Sequence, residues 1–354
     1  MSVATERPAA RRVREPGTPP GSLVALASLA LVAGTGAALW LLPSGIPGPP
    51  ARAWHPAPAA PPPGARPAAA GAPGRISRPS GFVTFVDAAG DPPFALPEAV
   101  SRDHVRWFTL GHLTAGADGC TPGWSGHGER DGERDGAPVA SGLGRLRAAG
   151  GDAGLAFGGP SGRELATTCT DQKRLVEAYR RVVGAFGAGY IDFEIRERGD
   201  EAAVLRRADA IATLQREGAA ASRPLTVSFT LPANGSGLSN GDQEMLRTTR
   251  DRGAEISAVN LLVPIRGGHA GRSRLRPIAS AVQAAHPQIT RSLGGSGTWH
   301  RIALSPVLAG SGDLTSADAR RLVAFSARKG MAWLSTRGAS PSSGVSRLLT
   351  NLAR

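Results

Sequence analysis

From Gly81 onward, short apolar or β-branched runs alternate with stretches of helical periodicity. This alternation predicts parallel strands that are joined by helical crossovers. Eight strand-like runs can be read, at 82–87, 105–113, 153–158, 190–196, 225–231, 256–265, 302–308 and 331–335. Eight strands in about 270 residues match a closed α/β structure, the (β/α)8 or TIM barrel. An open doubly wound sheet is the alternative, but no Gly-rich phosphate loop follows the first run.

The segment 21–42 carries no charged side chain. As a helix rising about 1.5 Å per residue it would span the roughly 30 Å hydrocarbon core of a membrane, so we predict a transmembrane signal anchor. The arginines of segment 1–20, at positions 7, 11, 12 and 14, place this basic tail in the cytoplasm by the positive-inside rule. The predicted location is therefore the cell membrane, with a single pass and the rest of the chain outside.

Cleavage of a signal peptide, with secretion, is the competing prediction. The segment Ala51-Arg52-Ala53 has the small residues of a cleavage site but lies well past the apolar run. That run is longer than the apolar region of about 7 to 15 residues in signal peptides, which favours an uncleaved anchor.

Pro, Ala and Gly dominate residues 43–80, which contain almost no large apolar side chain. Such a segment cannot offset the entropy cost of ordering with a core, so we predict a disordered linker. It would act as a semi-extended spacer between the membrane and a barrel domain over residues 81–354.

The formal net charge of +13 does not indicate a nucleic-acid partner. Only Lys173 and Lys329 are lysines, and the many arginines are scattered, with no stretch that alternates basic and aromatic residues. A nucleic-acid surface normally shows a clustered basic stripe or a known motif. No His-Glu-x-x-His motif and no clustered carboxylates suggest a metal, so we predict neither a metal nor a cofactor.

Several segments resemble, in order, the family-18 glycoside hydrolases of the bacterial secreted chitinase type. They are 85–87 with 92–94, 119–124, 156–162, 227–232, 259–260 and 299–307. The segment 156–162, AFGGPSG, is similar to the family's "SFGGxSG" third strand. The resemblance implies a disulfide between Cys120 and Cys169, which an exported location permits.

The fourth predicted strand carries the polar residues that matter most. Side chains alternate sides along a strand, so Tyr190, Asp192, Glu194 and Arg196 share one face. The other face is apolar and must pack under the helices. The polar face therefore points into the barrel and toward its C-terminal mouth, where active sites of this fold lie.

In the family, this face carries the acidic series DxxDxDxE, whose final Glu protonates the leaving oxygen. Laid on this sequence, the series reads Gly189, Asp192, Glu194 and Arg196, so only Asp192 is preserved. A guanidinium stays protonated and cannot act as an acid and base in turn. The fallback acids are poor ones: Glu194 lies two residues deeper, about 6 to 7 Å along the strand, and Glu197 turns to the opposite face.

Two further departures from the family lie on other strands. Pro264-Ile265-Arg266 stands where the resemblance leads us to expect a Met-Asp-Tyr group that holds the N-acetyl group. Thr336-Arg337 stands where the family has a Phe-Trp pair whose Trp forms the floor of the sugar subsite. The site therefore differs from the family on three strands.

These observations predict a chitinase-like domain that binds chitin or cell-wall glycan with little or no hydrolysis. One alternative is an active glycosidase that uses Glu194 or Glu197 as a relocated acid. Another is a structural or protein-binding barrel whose mouth is filled by a buried Glu194–Arg196 ion pair. Trp124 could stack on a sugar or pack on the disulfide beside it.

Overall fold

Ten strands form one sheet in the computed structural model, which describes residues 78–88, 96–125, 136–196, 200–265 and 274–352. The strands are β1 (Gly81–Asp87), β2 (Trp107–Ala115), β3 (Pro122–Trp124), β4 (Asp152–Gly158), β5 (Tyr190–Glu194), β6 (Thr226–Pro232), β7 (Ala258–Pro264), β8 (Ile302–Leu308), β9 (Trp333–Leu334) and β10 (Arg337–Gly338). Eight of them pair in parallel in the order β1-β2-β4-β5-β6-β7-β8-β9, and β9 returns to β1. The predicted (β/α)8 barrel is therefore confirmed. Of the other two, β3 is antiparallel to β2, and β10 pairs with the end of β8.

Helices connect the strands and cover the outside of the barrel. They are α1 (Leu96–Asp103), α2 (Gly136–Ala148), α3 (Leu165–Thr168), α4 (Gln172–Phe186), α5 (Glu201–Ala220), α6 (Asn240–Asp251), α7 (Arg276–Leu293), α8 (Ser316–Lys329) and α9 (Ser343–Leu352). Local signals set their ends: α8 begins with a capping box between Thr315 and Asp318 and ends at the left-handed Gly330. A capping Thr before a helix and a Gly after it are the sequence signals for such a start and end.

Inside the barrel, the N-terminal end is closed by aromatic rings. Trp107, Tyr190 and Trp333 are each at most 5% exposed, and both tryptophan rings meet the Tyr190 ring edge-on at centroid distances of 6.0 Å. The second core lies between the sheet and the helices and takes the opposite faces of the strands, such as Ile191 and Phe193 on β5. The polar face of β5 therefore stands above an apolar floor.

Two predicted strands end differently in the structure. Strand β5 stops at Glu194 rather than at residue 196, because Gly158 at the end of β4 pairs with Glu194 and the chain turns there. The predicted run 331–335 shortens to β9, and pairing with β8 resumes only at Arg337. Arg196 thus lies just beyond its strand, at the mouth.

The predicted tail (1–20) and anchor (21–42) lie outside the described residues, as does nearly all of the linker (43–80). Among the helices that the structure does describe, none is long and apolar enough to cross a membrane.

Candidate functional site

Asp192 is the deepest carboxylate on the polar face of β5. It is 1% exposed and accepts hydrogen bonds from the hydroxyls of Ser228 and Thr230 on β6, the latter at 2.7 Å. Burial raises the pKa of Asp192 to about 6, against the opposing effect of those two hydroxyls. The Tyr190 hydroxyl lies 2.7 Å from Ser228 Oγ, which links the carboxylate to the aromatic floor.

The hydrogen-bond chain continues across the barrel. Asn260 Nδ2 on β7 donates to Thr230 Oγ1 at 3.1 Å, and Ser305 Oγ on β8 donates to Asn260 Oδ1 at 2.9 Å. Each of these side chains is at most 3% exposed. Buried polar groups are costly unless they are paired, so this chain fixes the positions of four neighbouring strands and of Asp192. Sequence reasoning missed these partners, although Ser228 and Thr230 alternate along a predicted strand as inward residues should.

Glu194 lies one layer nearer the mouth and is 2% exposed. His112 Nε2 on β2 is 3.0 Å from its Oε2, Arg196 Nη2 is 2.7 Å from its Oε1, and Arg337 Nε is 3.7 Å from its Oε2. Burial acts to raise the pKa of Glu194, but the His112 hydrogen bond and the nearby Arg337 charge outweigh burial and lower the pKa to about 2. Glu194 is therefore a carboxylate at neutral pH.

Arg196 stands where the resemblance leads us to expect the family's proton donor. Its Nε and Nη2 both donate to Glu194 Oε1, at 3.2 and 2.7 Å. The predicted Glu194–Arg196 pair is present, but it is only half buried, because 44% of the Arg196 side chain is exposed. The guanidinium thus presents a positive charge at the barrel mouth.

Arg337, on β10, is the group that sequence reasoning did not connect to Glu194. Its guanidinium lies 3.5 Å from the centroid of the Phe85 ring, and its side chain is 10% exposed. Burial lowers the pKa of this arginine. Its Nε is buried and has no hydrogen-bond partner within the described part of the chain. An arginine three residues after the end of β9 was the available signal.

Two glycines of the segment 156–162 bring these groups together. Gly158 and Gly159 have φ of +87° and +96°, a left-handed region that favours glycine. A Cβ at Gly159 would lie 2.4 Å from His112 Cγ, and one at Gly158 would lie 2.4 Å from the Glu194 carbonyl oxygen. Only glycine lets the His112 ring and the end of β5 approach this turn so closely.

The disulfide between Cys120 and Cys169 is present, as the resemblance implied. Trp124 lies in β3, where its ring meets Phe186 edge-on at 5.9 Å and is 8% exposed, a position that favours packing over stacking on a sugar. Glu197 lies outside the described residues. Within the described ranges, no group of three or more His, Cys, Asp or Glu side chains is arranged to hold a metal ion.

A closed barrel with a polar site at its C-terminal mouth is shared by many classes of enzyme, so comparison with known proteins has to show what this chain is similar to. No protein-family model matches the chain. A probable bifunctional chitinase/lysozyme of Escherichia coli K12 is 29% identical over 168 residues, 46% of this chain and 18% of that protein. Endochitinase 11 of Metarhizium anisopliae is 28% identical over 119 residues, 33% of this chain and 23% of that protein. The matches thus span less than a quarter of either relative.

Solved structures give the same result for the fold. The catalytic domain of a hyperthermophilic chitinase from Pyrococcus furiosus matches with a TM-score of 0.64 and 21% identity, over 78% of this chain and 95% of that one. A family-18 chitinase from Cycas revoluta, in complex with allosamidin, matches with a TM-score of 0.55 and 10% identity, over 77% and 98%. The likeness to family-18 chitinases that the sequence motifs predict is confirmed.

Proposed function

We propose that this barrel binds glycan that contains N-acetylglucosamine and hydrolyses it little or not at all. One observation carries the proposal: a guanidinium, that of Arg196, occupies the proton-donor position and is held there by Glu194. A permanently protonated group cannot deliver a proton to the leaving oxygen and recover it later.

Neither acid of β5 is suited to replace the missing donor. Glu194, with its pKa lowered to about 2, carries no proton to give at neutral pH. Asp192, whose pKa is raised to about 6, is closer in acidity to a general acid that works near neutral pH. Both of its oxygens, however, accept hydrogen bonds from hydroxyls below the mouth. A general acid has to reach the leaving oxygen within hydrogen-bond distance.

Glycan binding is supported by the chitinase-like fold and by the names of the curated relatives, both of which are chitinases. A structural or protein-binding barrel is the second candidate. It is favoured by the mutual pairing of the mouth residues, since His112, Arg196 and Arg337 all surround the one carboxylate of Glu194.

Two assays on the full-length chain in mild detergent separate these functions. We expect background hydrolysis of a fluorogenic chitobioside, together with retention on chitin or on purified cell wall. Robust turnover would overturn the impaired-catalysis proposal and favour a relocated acid. A chain that neither cleaves the chitobioside nor remains on chitin or cell wall would instead be a structural or protein-binding barrel.

We also propose that segment 21–42 anchors the barrel at the outer side of the cell membrane, because this run is uncharged and follows a basic tail. Full-length protein should stay in the membrane fraction after washing with high salt and leave it only with detergent. Full-length protein in the soluble fraction would contradict the anchor, and a shortened soluble form would indicate cleavage and secretion.

A further inference from the structure

Two positive groups share one carboxylate at the mouth. Among the described ion pairs, the guanidinium groups of Arg196 and Arg337 both face Glu194. The nearest other acid of the face, Asp192, lies one layer deeper and uses its oxygens on Ser228 and Thr230. Glu194 is also shared with His112, so it cannot satisfy the donors of both arginines.

Arg337 is the more constrained of the two cations. Its side chain is nine-tenths buried, one face lies on the Phe85 ring, and its buried Nε donates no hydrogen bond within the described residues. A guanidinium has five N–H donors, and taking a charge out of water is costly unless these donors are used. An anionic group entering the mouth would bring a second counter-charge close to Arg337.

Arg196 supplies the accessible part of the site. Its Nε and Nη2 are directed to Glu194, which orients the guanidinium plane, while 44% of the side chain remains exposed. Guanidinium groups bind carboxylates in a bidentate, charge-assisted geometry, and an oriented one loses less entropy when it binds. A ligand anion can therefore approach from solvent and meet two preplaced cations.

We propose that the mouth selects glycans that carry a carboxylate over neutral N-acetylglucosamine oligomers. The inference rests on the proposed glycan-binding function and specifies its ligand class. A neutral sugar offers hydroxyls, which gain little from two positive charges, whereas a carboxylate gains charge-assisted hydrogen bonds with both.

The test compares two probes that differ at C6, where one carries a hydroxymethyl group and the other a carboxylate: chitohexaose and C6-carboxylated chitohexaose. Isothermal titration with the full-length chain in mild detergent measures both affinities. We expect the carboxylated probe to bind about tenfold more tightly at low salt, because charge-assisted hydrogen bonds are about twice as strong as neutral ones. Added salt should reduce this preference and leave the affinity for chitohexaose nearly unchanged.

Three variants assign the preference to the mouth. Arg196→Gln and Arg337→Gln should each lower the affinity ratio toward one, because each removes one of the two cations. Arg216→Gln, an exposed position on α5, removes the same charge from the outer surface and should leave the ratio unchanged. If buried Arg337→Gln does not fold, the half-exposed Arg196 still decides the outcome.

The outcomes distinguish this inference from the function on which it rests. Equal affinity for the two probes would overturn the carboxylate preference and leave glycan binding intact. A preference that survives Arg196→Gln would overturn the assignment to the mouth. Binding of neither probe would contradict the proposed function itself.

Discussion

At the scale of single residues, Arg196 determines what the mouth can do. Restoring the acid by Arg196→Glu should nevertheless leave chitobioside hydrolysis at background. A general acid contributes about 10² to 10⁴-fold, but only to a substrate that is held in place. Arg337 and the Pro264-Ile265 pair still stand where the resemblance leads us to expect sugar-holding groups.

Steady-state hydrolysis of the fluorogenic chitobioside checks this, with the unchanged chain as the reference. Retention of the variant on chitin serves as the control for an intact fold. Turnover that rises by the full contribution of a general acid would mean that Arg196 alone blocks an otherwise competent site.

Glu194 is the residue on which the mouth depends for stability. Glu194→Gln should lower the free energy of unfolding by about 3 to 5 kcal/mol at pH 7, because it leaves the buried Arg337 without its counter-charge. The loss of stability should be smaller in acid. Because the pKa of Glu194 in the folded state lies below its ordinary value of 4.5, the ionised side chain stabilises the fold above pH 4.5. This stabilisation is lost as the pH falls toward about 2.

Urea unfolding at pH 7 and pH 3 measures this difference between the unchanged chain and the variant. Asp192 titrates in both proteins, so most of its opposite pH dependence cancels; the Glu194 charge is the last of the causes that set the Asp192 pKa. A stability difference that is the same at both pH values would contradict a lowered Glu194 pKa.

At the scale of elements, the turn after β4 is where the sequence motif and the site meet. Gly159→Ala should lower the free energy of unfolding by about 1 to 3 kcal/mol, since it combines a left-handed φ with a Cβ only 2.4 Å from His112 Cγ. The added methyl group should also displace the His112 ring from its hydrogen bond with Glu194.

Thermal unfolding measures this cost. Gly184→Ala is the matched control, because Gly184 lies within α4 and a Cβ there would meet nothing within 4 Å. Alanine favours the helix, so we expect this control to gain about 0.5 to 1 kcal/mol. Similar losses at both glycines would mean that the close approach of His112 is not what requires Gly159.

The helices and strands themselves were largely predictable, because strand runs and helix caps depend on residues that are close together in the sequence. The inward orientation of Asp192 and Glu194 followed from alternation alone. What local sequence could not provide was set by pairing over long distances. Strand β5 ends where Gly158 pairs with Glu194, and Arg337 reaches the mouth because β10 pairs with the end of β8. His112 meets Glu194 across 82 residues of sequence.

At the scale of the whole molecule, the sequence predicted the closed barrel because eight strand–helix units leave few other arrangements. The order of the family-like segments then gave the likeness to chitinases, which the fold supports. The N-terminal anchor rests on hydrophobicity and charge alone and stays a prediction. A barrel held off a membrane by a Pro-rich linker would need its own stability, independent of the anchor.

The single disulfide is one source of that stability. Cys120 and Cys169 are separated by 49 residues, and a cross-link of this length stabilises the fold by about 4 kcal/mol in the chain-entropy model, through its effect on the unfolded state. Replacing both cysteines by serine should therefore lower the free energy of unfolding by up to this amount. Thr168 Oγ1 still donates to the Gly119 carbonyl at 2.6 Å, which holds the loop in the folded state without the bridge.

Urea unfolding with and without reductant tests this prediction. Reductant should destabilise the unchanged chain to the level of the double variant and leave that variant unaffected. Glycan binding should persist in the variant below its unfolding midpoint, because the hydrogen bonds that join His112, Glu194 and Arg196 do not involve either cysteine. Loss of binding by a folded double variant would show that the bridge positions the mouth as well as stabilising the barrel.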